Sequence, residues 1–167
     1  MLCRIPPDGV KPSDVVLYRD KAKWGKSVKL ITFSVFLVLL IVALSLSAVI
    51  VIFICLGILL IPYLFAPKSF ELTQSGIVVR RLLRSFEIPY SKVKGVSVID
   101  LPLGIRLWAS GGLYGYYGLF YLDKLGKVWV YATRRKRVLL LKVNNNKYII
   151  SPENLEVFLK LLENFIG

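Results

Sequence analysis

The chain carries two textures of apolar and polar positions. Residues 30–66 form 37 consecutive positions without a charged side chain. One helix over that run would be about 55 Å long at about 1.5 Å per residue, against a hydrocarbon core of about 30 Å. The length therefore predicts two spans, 30–46 and 48–66, each about 27 Å long. Ser45, Leu46 and Ser47 make the most polar point near the middle and mark the turn, although neither Pro nor Gly reinforces it. Gly57 and Pro62 are tolerated in membrane helices, and Tyr63 falls where an interfacial aromatic belt sits. A secretory h-region is the competing reading of a basic segment followed by an apolar run, but such regions hold only about 7–15 apolar residues and begin nearer the N-terminus.

After Pro67 the apolar positions come in short runs rich in Val, Ile, Tyr and Phe, broken by Gly, Pro and Asn. That texture belongs to an antiparallel sheet. Strands are predicted at 69–73, 77–86, 93–99, 106–109, 117–122, 127–133, 138–143 and 147–150. Turns are predicted at 74–76, 123–126, 133–136 and 144–146, where Gly76, Gly126 and the three asparagines admit positive φ at low cost. The last segment changes period. Leu155, Phe158, Leu159, Leu162 and Phe165 recur at helical spacing, with Glu156, Lys160 and Glu163 opposite. Ser151 suits an N-cap and Pro152 the first helical position. So short an amphipathic helix must dock its apolar face, and the open end of the sheet is the nearest surface. The fold class expected is an integral membrane α-hairpin of two helices, joined to a mainly-β domain capped by one C-terminal helix. Seven or eight short strands with such a cap describe a pleckstrin-homology-like (PH-like) barrel or split sandwich.

Charge orients this picture. The chain has 23 Lys and Arg against 10 Asp and Glu, a formal net charge of +13. Lys21, Lys23, Lys26 and Lys29 precede the apolar run, and Lys68, Arg80, Arg81 and Arg84 follow it. The positive-inside tendency puts both flanks in the cytoplasm, which requires an even number of spans. No acidic, basic or amide side chain lies within the apolar run, whereas transporters and proton relays place such groups at membrane depth. The hairpin therefore reads as an anchor, with its Ser and Thr hydroxyls bonded to their own helix backbone. Beside a bilayer, each Lys or Arg near the surface adds about 1 kcal/mol of attraction to anionic head groups.

A group of short motifs then points to a family. Phe70-Glu71-Leu72-Thr73, Ile88-Pro89-Tyr90-Ser91-Lys92-Val93, the run from Ser110 through Gly111, Gly112, Tyr114, Gly115, Tyr116 and Tyr117 to Gly118, Tyr131-Ala132-Thr133, and Ile150-Ser151-Pro152-Glu153 together resemble the prokaryotic PH-like domain family often attached to membrane spans. The resemblance covers roughly residues 68–165, and its most specific parts are the glycine–aromatic run and the Ile-Ser-Pro-Glu helix start. It implies a PH-like fold, no established catalytic activity and no defined ligand.

Two motifs are candidate binding elements. The glycines interleaved with Tyr114, Tyr116 and Tyr117 are not a nucleotide loop, because a strand-like Leu119-Phe120-Tyr121-Leu122 follows where a helix N-terminus would be needed. They fit either a bulged, tightly curved strand or a ligand- or partner-binding loop. Arg134-Arg135-Lys136-Arg137 reads either as a solvated turn or as a basic loop facing the membrane. Arg80 and Arg84 are expected on one face of their strand and Arg81 on the other, so the three cannot share one ligand. Histidine is absent, and Cys3 and Cys55 alone cannot build a zinc site. No carboxylate pair or nucleophile–base pair stands out, so neither enzyme activity nor a cofactor is expected.

These readings divide the chain into a basic juxtamembrane segment at 1–29, with Trp24 and its lysines along the interface, a transmembrane hairpin at 30–66 and a PH-like domain at 67–167. The expected product is a multi-pass cell-membrane protein with both termini cytoplasmic, a non-catalytic binding module for membrane lipids or a protein partner. The alternative is a structural subunit that forms a homo-oligomer or packs with other membrane proteins. Nucleic acid is not an expected partner, since exposed stacking aromatics beside the basic run are lacking.

Overall fold

In the computed structural model, which describes residues 15–46 and 49–166, the sheet begins before the apolar run, not after it. Strand β1 (Val16–Lys21) is followed by helix α1 (Lys26–Leu46), helix α2 (Val49–Phe65) and strand β2 (Pro67–Thr73). β1 and β2 pair antiparallel, with Arg19 opposite Glu71 and Asp20 opposite Phe70. Both helices therefore leave from the same end of one sheet. Cys3 and the rest of the first fourteen residues lie outside the described residues, as do the two positions at the expected hairpin turn.

Strands β3 (Gly76–Arg81) and β4 (Phe86–Pro89) complete a four-stranded antiparallel sheet in the order β1-β2-β3-β4. A short 3-10 turn at Tyr90–Lys92 leads to β5 (Val93–Ile99), β6 (Gly104–Gly111), β7 (Tyr116–Leu122), β8 (Gly126–Ala132), β9 (Val138–Val143) and β10 (Asn146–Ile150), and the chain ends in α3 (Leu155–Ile166). The second sheet has the order β5-β9-β10-β8-β7-β6. Its β10–β8 pair is parallel; the others are antiparallel.

Period-two alternation gives the second sheet two apolar faces. Tyr131, Leu139, Leu141, Tyr148 and Ile150 join Phe70, Leu72, Ile77, Val79 and Phe86 of the first sheet and Leu155, Phe158 and Leu162 of α3 in one core. Val128, Val130, Ala132, Val138, Leu140 and Ile149 point the other way, into a core closed by Leu101 and by Val28 of α1. The mainly-β domain with a docked C-terminal helix is thus present, with one strand more than its own hundred residues supply.

Three local expectations change. The single strand expected at 77–86 is two strands, because the Ser85 hydroxyl accepts the Arg81 N–H and donates to the Arg81 carbonyl, closing a turn in which Arg84 adopts φ +55°. Arg84 therefore sits in a turn, not on a strand face. Helix α3 starts at Leu155, not beside Ser151, because the buried Ser151 hydroxyl accepts the Thr133 N–H at 2.8 Å. The N–H of Asn154, just before the helix, is instead taken by the Asp20 carboxylate of β1 at 2.7 Å. Finally, Thr32 does not bond its own helix: its Oγ1 accepts the Tyr114 N–H at 3.0 Å, while Ser45 does donate to the Ile41 carbonyl.

Among the described residues, helix α1 is the one long and apolar enough to cross a membrane by length and composition; α2 is apolar throughout but has 17 residues. They lie against each other, with Cys55 buried in α2 and its thiol 3.8 Å from the Leu39 carbonyl.

Candidate functional site

Strand directions sort the connections into two ends. β2, β4, β7 and β9 run away from the helices, while β3, β5, β6, β8 and β10 run back towards them, so the β3–β4 turn, the β6–β7 loop and the β8–β9 connection all return to the helical end. Each is tied there by the backbone. The Leu83 N–H donates to the Leu64 carbonyl, and the Gly25 N–H donates to the Thr133 carbonyl. Thr133 Oγ1 donates to the Lys23 carbonyl at 2.8 Å.

The glycine–aromatic loop is the clasp of this end. Gly112 has φ +119°, and a Cβ there would meet Ile31 Cδ1 of α1 at 2.6 Å, so only glycine lets the loop approach the helix so closely. Tyr114, itself at φ +58°, packs between Trp24 at 5.5 Å and Tyr63 at 5.3 Å, ring centre to ring centre. Tyr117 donates its hydroxyl to the Pro62 carbonyl of α2 at 2.6 Å. Lys68 lies over the Tyr63 ring, 3.8 Å from its centre. Burial raises the phenol pKa of Tyr114 and Tyr117 above the ordinary value. Tyr116 is buried in the second core and carries Arg135 over its ring at 5.7 Å. Tyr114 and Tyr117 thus hold the sheet to the helices, while Tyr116 packs into the core behind them.

The basic run lies at the same end, but most of its charge is engaged. Arg134 is half-buried and donates to the Pro152 carbonyl at 2.6 Å; burial first, then the neighbouring Arg137 charge, lowers its pKa. Arg137, at φ +51°, gives its N–H to Asp100 and its guanidinium to Glu156 at 2.7 Å. Lys136 is exposed. Arg134 and Arg137 line a shallow open cleft of about 240 Å³ with Glu153 and Glu156. Lys23 donates to Glu153 at 2.7 Å, and that carboxylate holds its ammonium above the ordinary pKa.

Of the other arginines, Arg80 is neutralised: with Arg19 it brackets the buried Glu71 at 2.9 and 2.8 Å, a pairing that joins three strands. Arg81 is turned inwards over the Phe86 and Tyr131 rings at 5.2 and 5.4 Å. Among the described residues no three His, Cys, Asp or Glu side chains come together.

Two features escaped the sequence reading. Leu82 and Leu83 stand exposed in the β3–β4 turn, hidden in the sequence by a strand-like run of ten residues. Leu103, Ile105 and Trp108 stand exposed along the edge strand β6; the Leu-Gly-Ile-Arg-Leu-Trp alternation was the available signal.

A curled two-sheet β-domain, closed by a C-terminal helix and clasped to a pair of apolar helices, defines a PH-like module on a helical stem. The chain belongs to the bacterial PH domain family, whose model matches residues 68–166, more than half of its length. An uncharacterized protein of Clostridium acetobutylicum is 29% identical over 82 residues, a stretch that makes up 48% of this chain and 28% of that relative. The chain thus covers less than a third of that relative's length. No solved structure matches the chain.

Proposed function

We propose that the chain is a membrane-tethered, non-catalytic binding module. In this reading α1 and α2 cross the cell membrane as an antiparallel hairpin, and the PH-like domain sits on the cytoplasmic surface. Its basic helix-side end, with Arg134, Arg135, Lys136 and Arg137, meets anionic lipid head groups, while Tyr114, Tyr116 and Tyr117 pack inside the domain and hold that end in place. The observation that carries the proposal is the convergence of three loops on the helix ends, which brings the basic run beside Gly25, one helical turn before the last lysine ahead of the apolar run. Membership of a PH family supports binding over catalysis.

The test is native mass spectrometry of the full chain released from mild detergent after exposure to equal amounts of phosphatidylglycerol and phosphatidylcholine. Preferential retention of phosphatidylglycerol, lost when the four basic residues are changed to Gln, is the expected result. Equal retention of both lipids would overturn the lipid reading. A second reading, a self-associating structural subunit, is favoured by the exposed apolar edge of β6, since an uncovered edge strand is a template for pairing. A discrete homo-oligomer in the same spectra is its signature.

A further inference from the structure

Hairpin turns are ordinarily built from Gly, Asn, Asp, Ser and Pro, yet the β3–β4 turn carries Leu82 and Leu83, 53% and 41% exposed. The turn is fixed by the Leu83 N–H to Leu64 carbonyl bond, one residue from the end of α2. Its leucines therefore continue the exposed apolar surface of α2 formed by Ile61 and Phe65. No acidic residue occurs between Glu71 and Glu87, and the turn itself carries the exposed Arg84, so its charge suits an anionic surface.

Length supplies the second argument. Helix α2, at 17 residues, is about 25 Å long, some 5 Å short of a hydrocarbon core of about 30 Å. A bilayer meets a short span by thinning or by drawing flanking groups inwards. Whatever is bonded to Leu64 is drawn with it.

We propose that the β3–β4 turn is a membrane-inserting wedge: Leu82 and Leu83 lie in the interfacial layer of the bilayer that α1 and α2 cross, lengthening the apolar reach of α2 and fixing the tilt of the β-domain on the surface. This rests on the hairpin reading above. It is independent of what the basic run binds.

The test uses the full chain with Cys3→Ala and Cys55→Ala, single cysteines labelled with bimane, and vesicles of phosphatidylcholine and phosphatidylglycerol with bromine atoms high on the acyl chains. Leu82→Cys and Arg84→Cys report the turn, the second leaving both leucines in place. Phe36→Cys, in the middle of α1, reports the span, and Asn145→Cys reports the opposite end of the domain. The expected result is quenching at 82 and 84 well above that at 145, because interfacial apolar groups sit about 5–10 Å into the boundary. Quenching at 36 with both turn labels matching 145 would overturn the wedge alone. Absence of quenching at 36 would overturn the hairpin reading, and the wedge with it.

Discussion

The two ends of the β-domain are built from the same kind of connection and differ in what fills it. At the far end, the β7–β8 turn presents Asp123 and Lys124 and the β9–β10 turn presents Asn144 and Asn145, all exposed. Its bonds include the short-range Thr73–Gly76 pair that closes the β2–β3 turn. At the helix end, the connections carry Leu82, Leu83, Tyr114 and four consecutive basic residues. Their ties reach far along the chain: Tyr117 to Pro62, Tyr114 to Thr32, Thr133 to Lys23 and Asp20 to Asn154. A turn that meets only water needs polarity. A turn that meets helices needs shape and apolar surface, and on the proposed reading a bilayer beside it adds a need for positive charge; that is the composition found at the end joined to the helices.

The sharpest way to break this contrast is to put a side chain on one glycine at each end. Gly112→Val drives a branched side chain into Ile31 at a backbone φ of +119°, and overpacking together with left-handed strain should cost about 2–5 kcal/mol. Gly126→Ala at the far end also has positive φ, but nothing lies within 4 Å of its Cβ, so about 1 kcal/mol is expected. Thermal midpoints of the detergent-solubilised full chain measure both. Equal losses would mean that the loop is not clasped to α1.

Changing Arg134, Arg135, Lys136 and Arg137 together to Gln should have two effects. Retention of anionic lipid should fall roughly tenfold or more. The midpoint should also fall by a few degrees, since the Arg134–Pro152 and Arg137–Glu156 bonds together contribute about 1–2 kcal/mol. Neutralising Lys124, Lys127 and Lys142 at or near the far end should do neither. Asp20→Ala should cost about 1 kcal/mol through the lost bond ahead of α3, seen as a lower midpoint with lipid retention intact.

That last contact marks where the sequence was legible and where it was not. β5 and β9 occupy the residues read for them, because β5 is a short run rich in β-branched residues and β9 a short continuous apolar run, buried on both faces and bounded by turn residues. β1 was invisible: Val16–Lys21 has only six residues, two of them half-buried on alternate positions and one a buried aspartate, and its partner lies some fifty residues away, beyond both helices. The clasp tyrosines were found as a motif, but the reason for the glycines was not, since nothing local shows that Ile31 will lie against Gly112. The basic run was read as free charge. Its use inside the domain depends on Pro152, Asp100 and Glu156, which only the fold brings near. In each case local periodicity was readable and long-range partnership was not.

The smallest effect expected belongs to the far end and to alkaline pH. Tyr90 donates its hydroxyl to the Thr73 carbonyl at 2.9 Å and stacks on Phe165 of α3, ring centres 5.2 Å apart. Burial, aided by the negative charge of Glu87, raises its phenol well above the ordinary value of 10.0. In the unfolded chain the phenol loses its proton near pH 10, while in the folded chain it keeps it. The unfolded state then binds fewer protons, so stability is fully present below pH 10 and falls as pH rises above it. Tyr90→Phe removes this dependence together with one hydrogen bond. Below pH 9 the variant should be less stable by about 1 kcal/mol, and between pH 10 and 11.5 its unfolding curve should fall less steeply, so that the two proteins converge. Tyr114 and Tyr117, raised in the same direction at the helix end, remain in the variant and keep part of the slope. Parallel curves across that range, measured by denaturant unfolding of the detergent-solubilised chain, would show that the far-end phenol titrates alike in both states, and the packing of Tyr90 between Thr73 and Phe165 would need another account.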